Sequence, residues 1–143
     1  MPRADAVQPC HATMGRTLSL VVHHLALRTP DPSRLERFYA GFLGLRVARR
    51  DAARGSVWLE TGTVVVMIEP AAENEPSPNR ASQELLAFGI DPQSLHPDLP
   101  AWRKRLAESD VAIEAETPFT LYFRDPEGRR LALSTYVFRA PGE

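Results

Sequence analysis

The sequence predicts an α+β fold built from two tandem β-α-β-β-β units. Three observations carry that expectation. One order of hydrophobic periodicities, strand then helix then three strands, runs twice along the 143 residues. A polar, proline-bearing stretch without periodicity, residues 71–83, separates the two runs. The runs also overlay: Leu25-Ala26-Leu27 on Leu86-Ala87-Phe88, Phe38 and Leu43 on Trp102 and Leu106, Gly62 on Gly128, and Val66 on Ala132. The expected organisation is an arm over residues 1–16, one domain over 17–138 and a tail over 139–143. Within the domain, module one takes 17–70, a linker 71–83 and module two 84–138. Each module has about 55 residues, near the lower limit of independent stability, so each needs the other or a partner chain to bury its sheet.

In module one, the apolar run Leu18–Leu27 is rich in β-formers and reads as a strand. Asp31 suits a helix N-cap, and Pro32 the first helical position, where its missing N–H costs nothing. Leu35, Phe38, Tyr39, Phe42 and Leu43 follow at helical spacing and form one apolar face. Gly44 can end the helix in the left-handed conformation. Leu45–Arg49 reads as a strand, and Val57–Glu60 with Thr63–Glu69 as a hairpin around Thr61-Gly62. In module two, Leu85–Ile90 is a predicted strand, and Leu99, Trp102 and Leu106 mark a helix over Asp98–Ser109. Val111 and Ile113 mark a strand, Phe119–Arg124 another, Asp125-Pro126-Glu127-Gly128 a turn, and Arg130–Val137 the last strand. Helical spacing assigns Phe38, Tyr39, Phe42 and Trp102 to core packing, while Trp58 suits either face of its strand. Arg103-Lys104-Arg105 reads as the wet face of the second helix.

Composition removes several function classes. There are 17 basic and 18 acidic side chains, a formal net charge of -1, so no phosphate-backbone binder is expected. A single cysteine, Cys10, excludes an internal disulfide framework and any cysteine zinc cluster. The longest wholly apolar run, Val64–Ile68, is far short of the roughly 20 residues that span a bilayer. Asp5 and Pro9 interrupt any secretory apolar stretch, so the expected compartment is the cytoplasm. His11 and His96 are expected to face solvent. No glycine-rich phosphate loop, dinucleotide fingerprint or nucleophile elbow is present.

The stretch His24-Leu-Ala-Leu-Arg-Thr-Pro-Asp31, then Phe38-Tyr39 and Leu43-Gly44-Leu45, resembles the opening of vicinal oxygen chelate proteins. That superfamily includes glyoxalases, extradiol dioxygenases and bleomycin- and fosfomycin-resistance proteins. The tail Leu121-Tyr-Phe-Arg-Asp-Pro-Glu-Gly-Arg-Arg-Leu-Ala-Leu133 resembles its ending. The resemblance covers about residues 18–138. It implies two βαβββ modules forming an incomplete, cleft-bearing barrel, helices on the convex side, and pairing as a homodimer.

Metal enzymes of this superfamily draw ligands from the first and last strands of each module. Carried over, those four places hold His24, Val66, Leu85 and Ala132. One imidazole among three apolar side chains does not make a divalent site, which usually takes three protein ligands. The resemblance therefore implies no cofactor. If a metal binds, its expected ligands are displaced: His24 with Glu69, or with Glu60. His23 should alternate to the face opposite His24. The resemblance also places Tyr122 in the cleft, and Arg124 shares its strand face. Arg130 and Ser134 share the face of Ala132, and Arg28 that of His24. A cleft tyrosine and arginine suit an anionic or aromatic ligand.

Three functions follow as expectations. The leading one is a small-molecule-binding protein whose cleft holds no metal. The second is a metal-dependent lyase, isomerase or dioxygenase with displaced ligands. The third is a non-catalytic dimeric interaction module.

Overall fold

The computed structural model describes residues 19–137. Module one contains β1 (His24–Thr29), α1 (Pro32–Glu36), β2 (Arg46–Asp51), β3 (Ser56–Glu60) and β4 (Val65–Pro70). Module two contains β5 (Leu86–Gly89), α2 (Leu99–Glu108), β6 (Ala115–Glu116), β7 (Thr120–Arg124) and β8 (Arg130–Ser134). The strands form two four-stranded mixed sheets, ordered β1-β4-β3-β2 and β5-β8-β7-β6. In each, the first and last strands run parallel and the other pairs antiparallel. There is no closed barrel among the described residues, and no helix is long and apolar enough to cross a membrane.

Local chemistry sets the helix ends. The Asp31 carboxylate accepts from Arg34 N at 3.1 Å, and Pro32 occupies the first turn. The expected single helix instead continues as a π-helical segment, Arg37–Phe42. Gly44, with φ of 83°, then turns the chain toward β2. Asp98 caps α2 by accepting from Ala101 N at 2.9 Å.

Several boundaries differ from the sequence expectations. The expected first strand begins at Leu18, outside the described residues, and the described chain becomes regular only at His24. Val111 and Ile113 are half-buried but precede β6, which keeps only two residues. Gly128 has φ of 89°, whereas Gly62 lacks a positive φ, so the two expected equivalents are different turns.

One apolar core serves both modules. It joins Leu27, Leu59, Val66 and Ile68 of the first sheet to Leu121, Phe123, Leu131 and Leu133 of the second. Leu35, Phe38 and Tyr39 pack into it from α1 and its extension, and Trp102 and Leu106 from α2. This agrees with the helical spacing of the aromatics. A buried polar joint reinforces the contact. The Tyr39 hydroxyl donates to the Asp125 carboxylate at 2.7 Å. Asp125 also accepts from Glu127 N at 2.8 Å and Arg129 N at 3.0 Å. Burial, followed by the Asp125 charge, holds the Tyr39 hydroxyl protonated far above the ordinary tyrosine range. Arg129 Nη2 reaches back to Arg28 O at 2.6 Å.

Candidate functional site

Because side chains alternate along a strand, the shared core leaves each sheet with one face turned away from it. On the first sheet this open face carries His24, Ala26 and Arg28 of β1, opposite Val65, Met67 and Glu69 of β4. On the second it carries Ala87 and Gly89 of β5, opposite Ala132 and Ser134 of β8, and then Tyr122 and Thr120 of β7.

The nine residues expected in one cleft therefore divide three ways. His24 and Arg28 lie on the first open face. Tyr122, Arg124, Arg130, Ala132 and Ser134 lie together on the second, with Leu85 one residue before β5 and 44% exposed. Val66 lies with neither group: it is 1% exposed and faces the core. The expected match of Val66 to Ala132 is one residue out of register. Leu25 pairs with Val66 as Leu86 pairs with Leu131, whereas Ala26 pairs with Met67 as Ala87 pairs with Ala132. A slip of one residue moves a side chain to the other face. The open-face counterpart of Ala132 is Met67.

With that register, the four places from which related enzymes draw metal ligands hold His24, Met67, Leu85 and Ala132. An imidazole, a thioether and two alkyl groups do not suit a hard or borderline divalent ion. Among the described residues, no three His, Cys, Asp or Glu side chains cluster in a way that could hold one. The displaced ligands are not brought together either. Glu69 pairs with Arg28, four positions along the parallel strands from His24, or about 13 Å. Its carboxylate accepts from Arg28 Nη1 at 2.9 Å. Glu60 lies in the His24 row but two strands away, about 10 Å, and is ion-paired with Arg46.

Two histidine expectations need correction. His23 lies just before β1, where strict alternation has not begun, and its Nδ1 is 3.0 Å from His24 Nδ1. His96 is half-buried against Trp102, with ring centroids 5.1 Å apart.

The charged residues are distributed unequally. Arg28 donates through Nε to Glu75 at 2.7 Å and through Nη1 to Glu69 at 2.9 Å, so two carboxylates already hold it. Arg124 binds Glu114 through Nε at 2.9 Å and Nη2 at 2.8 Å. Its Nη1 donates to Ser82 O and Gly128 O at 2.9 and 3.2 Å. Arg124 thus ties β7 to the residue 71–83 segment, and is not a free fork for ligand.

Arg130 is different. Its guanidinium lies 4.4 Å above the Tyr122 ring. Its Nε is buried without a hydrogen-bond partner, and its nearest carboxylate is Glu114 at 3.8 Å. Glu114 was not singled out from the sequence. Its pairing with Arg124 depends on β6 lying beside β7, and β6 is too short to be read from periodicity. The Arg124 hydrogen bonds hold the Glu114 carboxyl below the usual carboxylate range. Ser134 Oγ is 2.9 Å from Thr120 Oγ1 and closes the row.

Solved structures share this fold. A fosfomycin resistance protein, FosX, from Mesorhizobium loti aligns with a TM-score of 0.67 at 17% identity, over 85% of this chain and 95% of that one. A glyoxalase/dioxygenase from Nostoc punctiforme aligns with a TM-score of 0.63 at 23% identity, over 91% and 95%. Listeria monocytogenes FosX aligns with a TM-score of 0.66 at 14% identity, over 85% and 94%. No curated protein matches the sequence. The glyoxalase-like domain model matches residues 24–134, which spans β1 through β8. The chain therefore belongs to the glyoxalase-like family of the vicinal oxygen chelate superfamily.

Proposed function

We propose that this chain binds a small anionic molecule on the open face of the second sheet, without a divalent metal. One observation carries the reading: two guanidiniums, Arg124 and Arg130, share the single carboxylate of Glu114. Arg124 takes both carboxylate oxygens, which leaves a local charge of about +1 on Arg130. The side chain of Arg130 is only 15% exposed, so water compensates that charge poorly. A carboxylate, phosphonate or phosphate would accept its hydrogen bonds. The exposed Ala87 and Leu85 nearby offer an apolar wall for the rest of the ligand. One FosX relative from Listeria monocytogenes was crystallised with Mn(II) and a dihydroxypropylphosphonic acid. Phosphonates are therefore sensible first probes here.

The cleft itself is proposed to form between two copies. Both open faces turn away from the shared core, so a second chain is needed to set a His24 face against a Tyr122 face. Phe119, Tyr136 and Val137, 53%, 66% and 68% exposed, supply an apolar rim on the second sheet.

Thermal-shift screening of chelator-treated protein against small carboxylates and phosphonates, fosfomycin included, tests the reading. A stabilising anion whose effect vanishes in Arg130→Met is the expected result. Stabilisation by divalent ions alone would overturn it.

A further inference from the structure

A large cavity among the described residues lies between the two sheets, with Ala87 and Gly89 of the second sheet's open face also in its lining. Its volume is about 790 Å³. Core-facing side chains of both sheets wall it: Leu25 and Val66 from the first, Leu86, Phe88 and Leu133 from the second. His24, Tyr122 and Arg130 take no part in its lining.

The void has a local cause. The helical segment over the first sheet ends at Phe42, and Gly44 then turns the chain away toward β2. Ile68, under that segment, is fully buried, whereas Leu25 at the start of β1 is only half-buried. Leu86 and Phe88 are likewise half-buried on β5. Two incompletely covered strand starts thus face one gap. An empty apolar gap forfeits dispersion contacts that an occupant would restore. Its volume also falls in the roughly 300–1,000 Å³ range of small-molecule pockets.

The lining carries one guanidinium, Arg105, and one carboxylate, Asp91, which accepts from Gln93 N at 2.9 Å. Arg105 Nε donates to Phe42 O at 2.9 Å and Nη2 to Gly41 O at 3.2 Å. Its Nη1 has no partner among the described residues, and no carboxylate pairs with it. The guanidinium is held flat by Phe42 and Trp102, 5.3 and 6.0 Å from their ring centroids. The expectation that the whole Arg103-Lys104-Arg105 run is solvated fails at Arg105 for this reason. His96, its ring tilted against Trp102 at 59°, also lines the cavity.

We propose that this cavity is a second ligand site, for an amphiphilic anion. The apolar or aromatic body would fill the gap between the sheets, and a carboxylate- or sulfonate-type head would meet Arg105 Nη1. This site is independent of the Arg130 face, and either can fail without the other.

The test uses 8-anilinonaphthalene-1-sulfonate as an anionic probe and N-phenyl-1-naphthylamine as its neutral counterpart. The native chain should bind the anionic probe saturably, with energy transfer from Trp102, which lines the cavity. Trp102→Phe should keep the binding and reduce that transfer, with Trp58, which pairs with Met67 next to the lining residue Val66, accounting for what remains. Leu86→Trp should fill the gap and abolish binding of both probes. Arg105→Gln should weaken the sulfonate about tenfold and leave the neutral probe unchanged. Arg130→Met should alter neither. Circular dichroism and thermal melts establish that each variant is folded. The proposal is overturned by the absence of saturable binding, by binding that survives Leu86→Trp in folded protein, or by sulfonate binding that is unchanged in Arg105→Gln.

Discussion

On the open face of the first sheet, one guanidinium, Arg28, is held by two carboxylates, Glu69 and Glu75. On the open face of the second, two guanidiniums, Arg124 and Arg130, share Glu114. The backbone frames correspond pair for pair, with Ala26 beside Met67 as Ala87 is beside Ala132. The difference lies in the side chains alone. A repeated scaffold has therefore produced two different local pairings, a doubly held arginine on one face and a shared carboxylate on the other. A protein of net charge -1 can offer an anion site in this way, because selectivity comes from local pairing.

The largest expected effect comes from breaking the joint that orients the two faces. Asp125→Ala strands the Tyr39 hydroxyl and the Glu127 and Arg129 amides in the interior. It should cost about 3–5 kcal/mol, read as a lowered urea midpoint in equilibrium unfolding. Arg124→Met comes next. It releases Glu114, Ser82 O and Gly128 O together, and should lower the melting temperature while Arg130→Met barely moves it. The two variants separate a positioning arginine from a ligand arginine.

A smaller effect tests the sign of the Glu114 titration. Its carboxyl is held below the unfolded value, chiefly by the Arg124 hydrogen bonds. Its contribution is therefore fully present above the ordinary carboxylate range and is lost as pH falls through the depressed folded value. Unfolding midpoints of the native chain and Glu114→Gln should converge on acidification. A gap that widened would contradict the assignment. The smallest effect is expected at Arg28, a largely exposed cation. Arg28→Met should change stability by no more than about 1 kcal/mol and leave anion binding intact.

These contrasts also explain what could be read from the sequence. The order β-α-β-β-β was legible twice, because Asp31, Pro32, the Leu35–Leu43 spacing and the Asp125–Gly128 turn are local signals. Tyr122, Arg130, Ala132 and Ser134 came out together because strand alternation from one anchor fixes them all. Val66 did not. Its placement needed the register between β1 and β4, and an overlay of sparse apolar positions cannot resolve a one-residue slip. Glu114 and the partners of Arg28 were hidden for a related reason. They come from a two-residue strand and from the residue 71–83 segment, and tertiary packing alone brings them to the sheets. The cavity beside Arg105 depends on where a helical segment stops covering a strand, which no periodicity encodes.

The central claim is that Arg130, and no divalent ion, holds the ligand. The direct measurement is calorimetric titration of the most stabilising anion into chelator-treated native protein and into Arg130→Met. The account predicts saturable binding in the first, weakened about tenfold or more in the second. Binding that appears only on adding a divalent ion, and survives Arg130→Met, would contradict it.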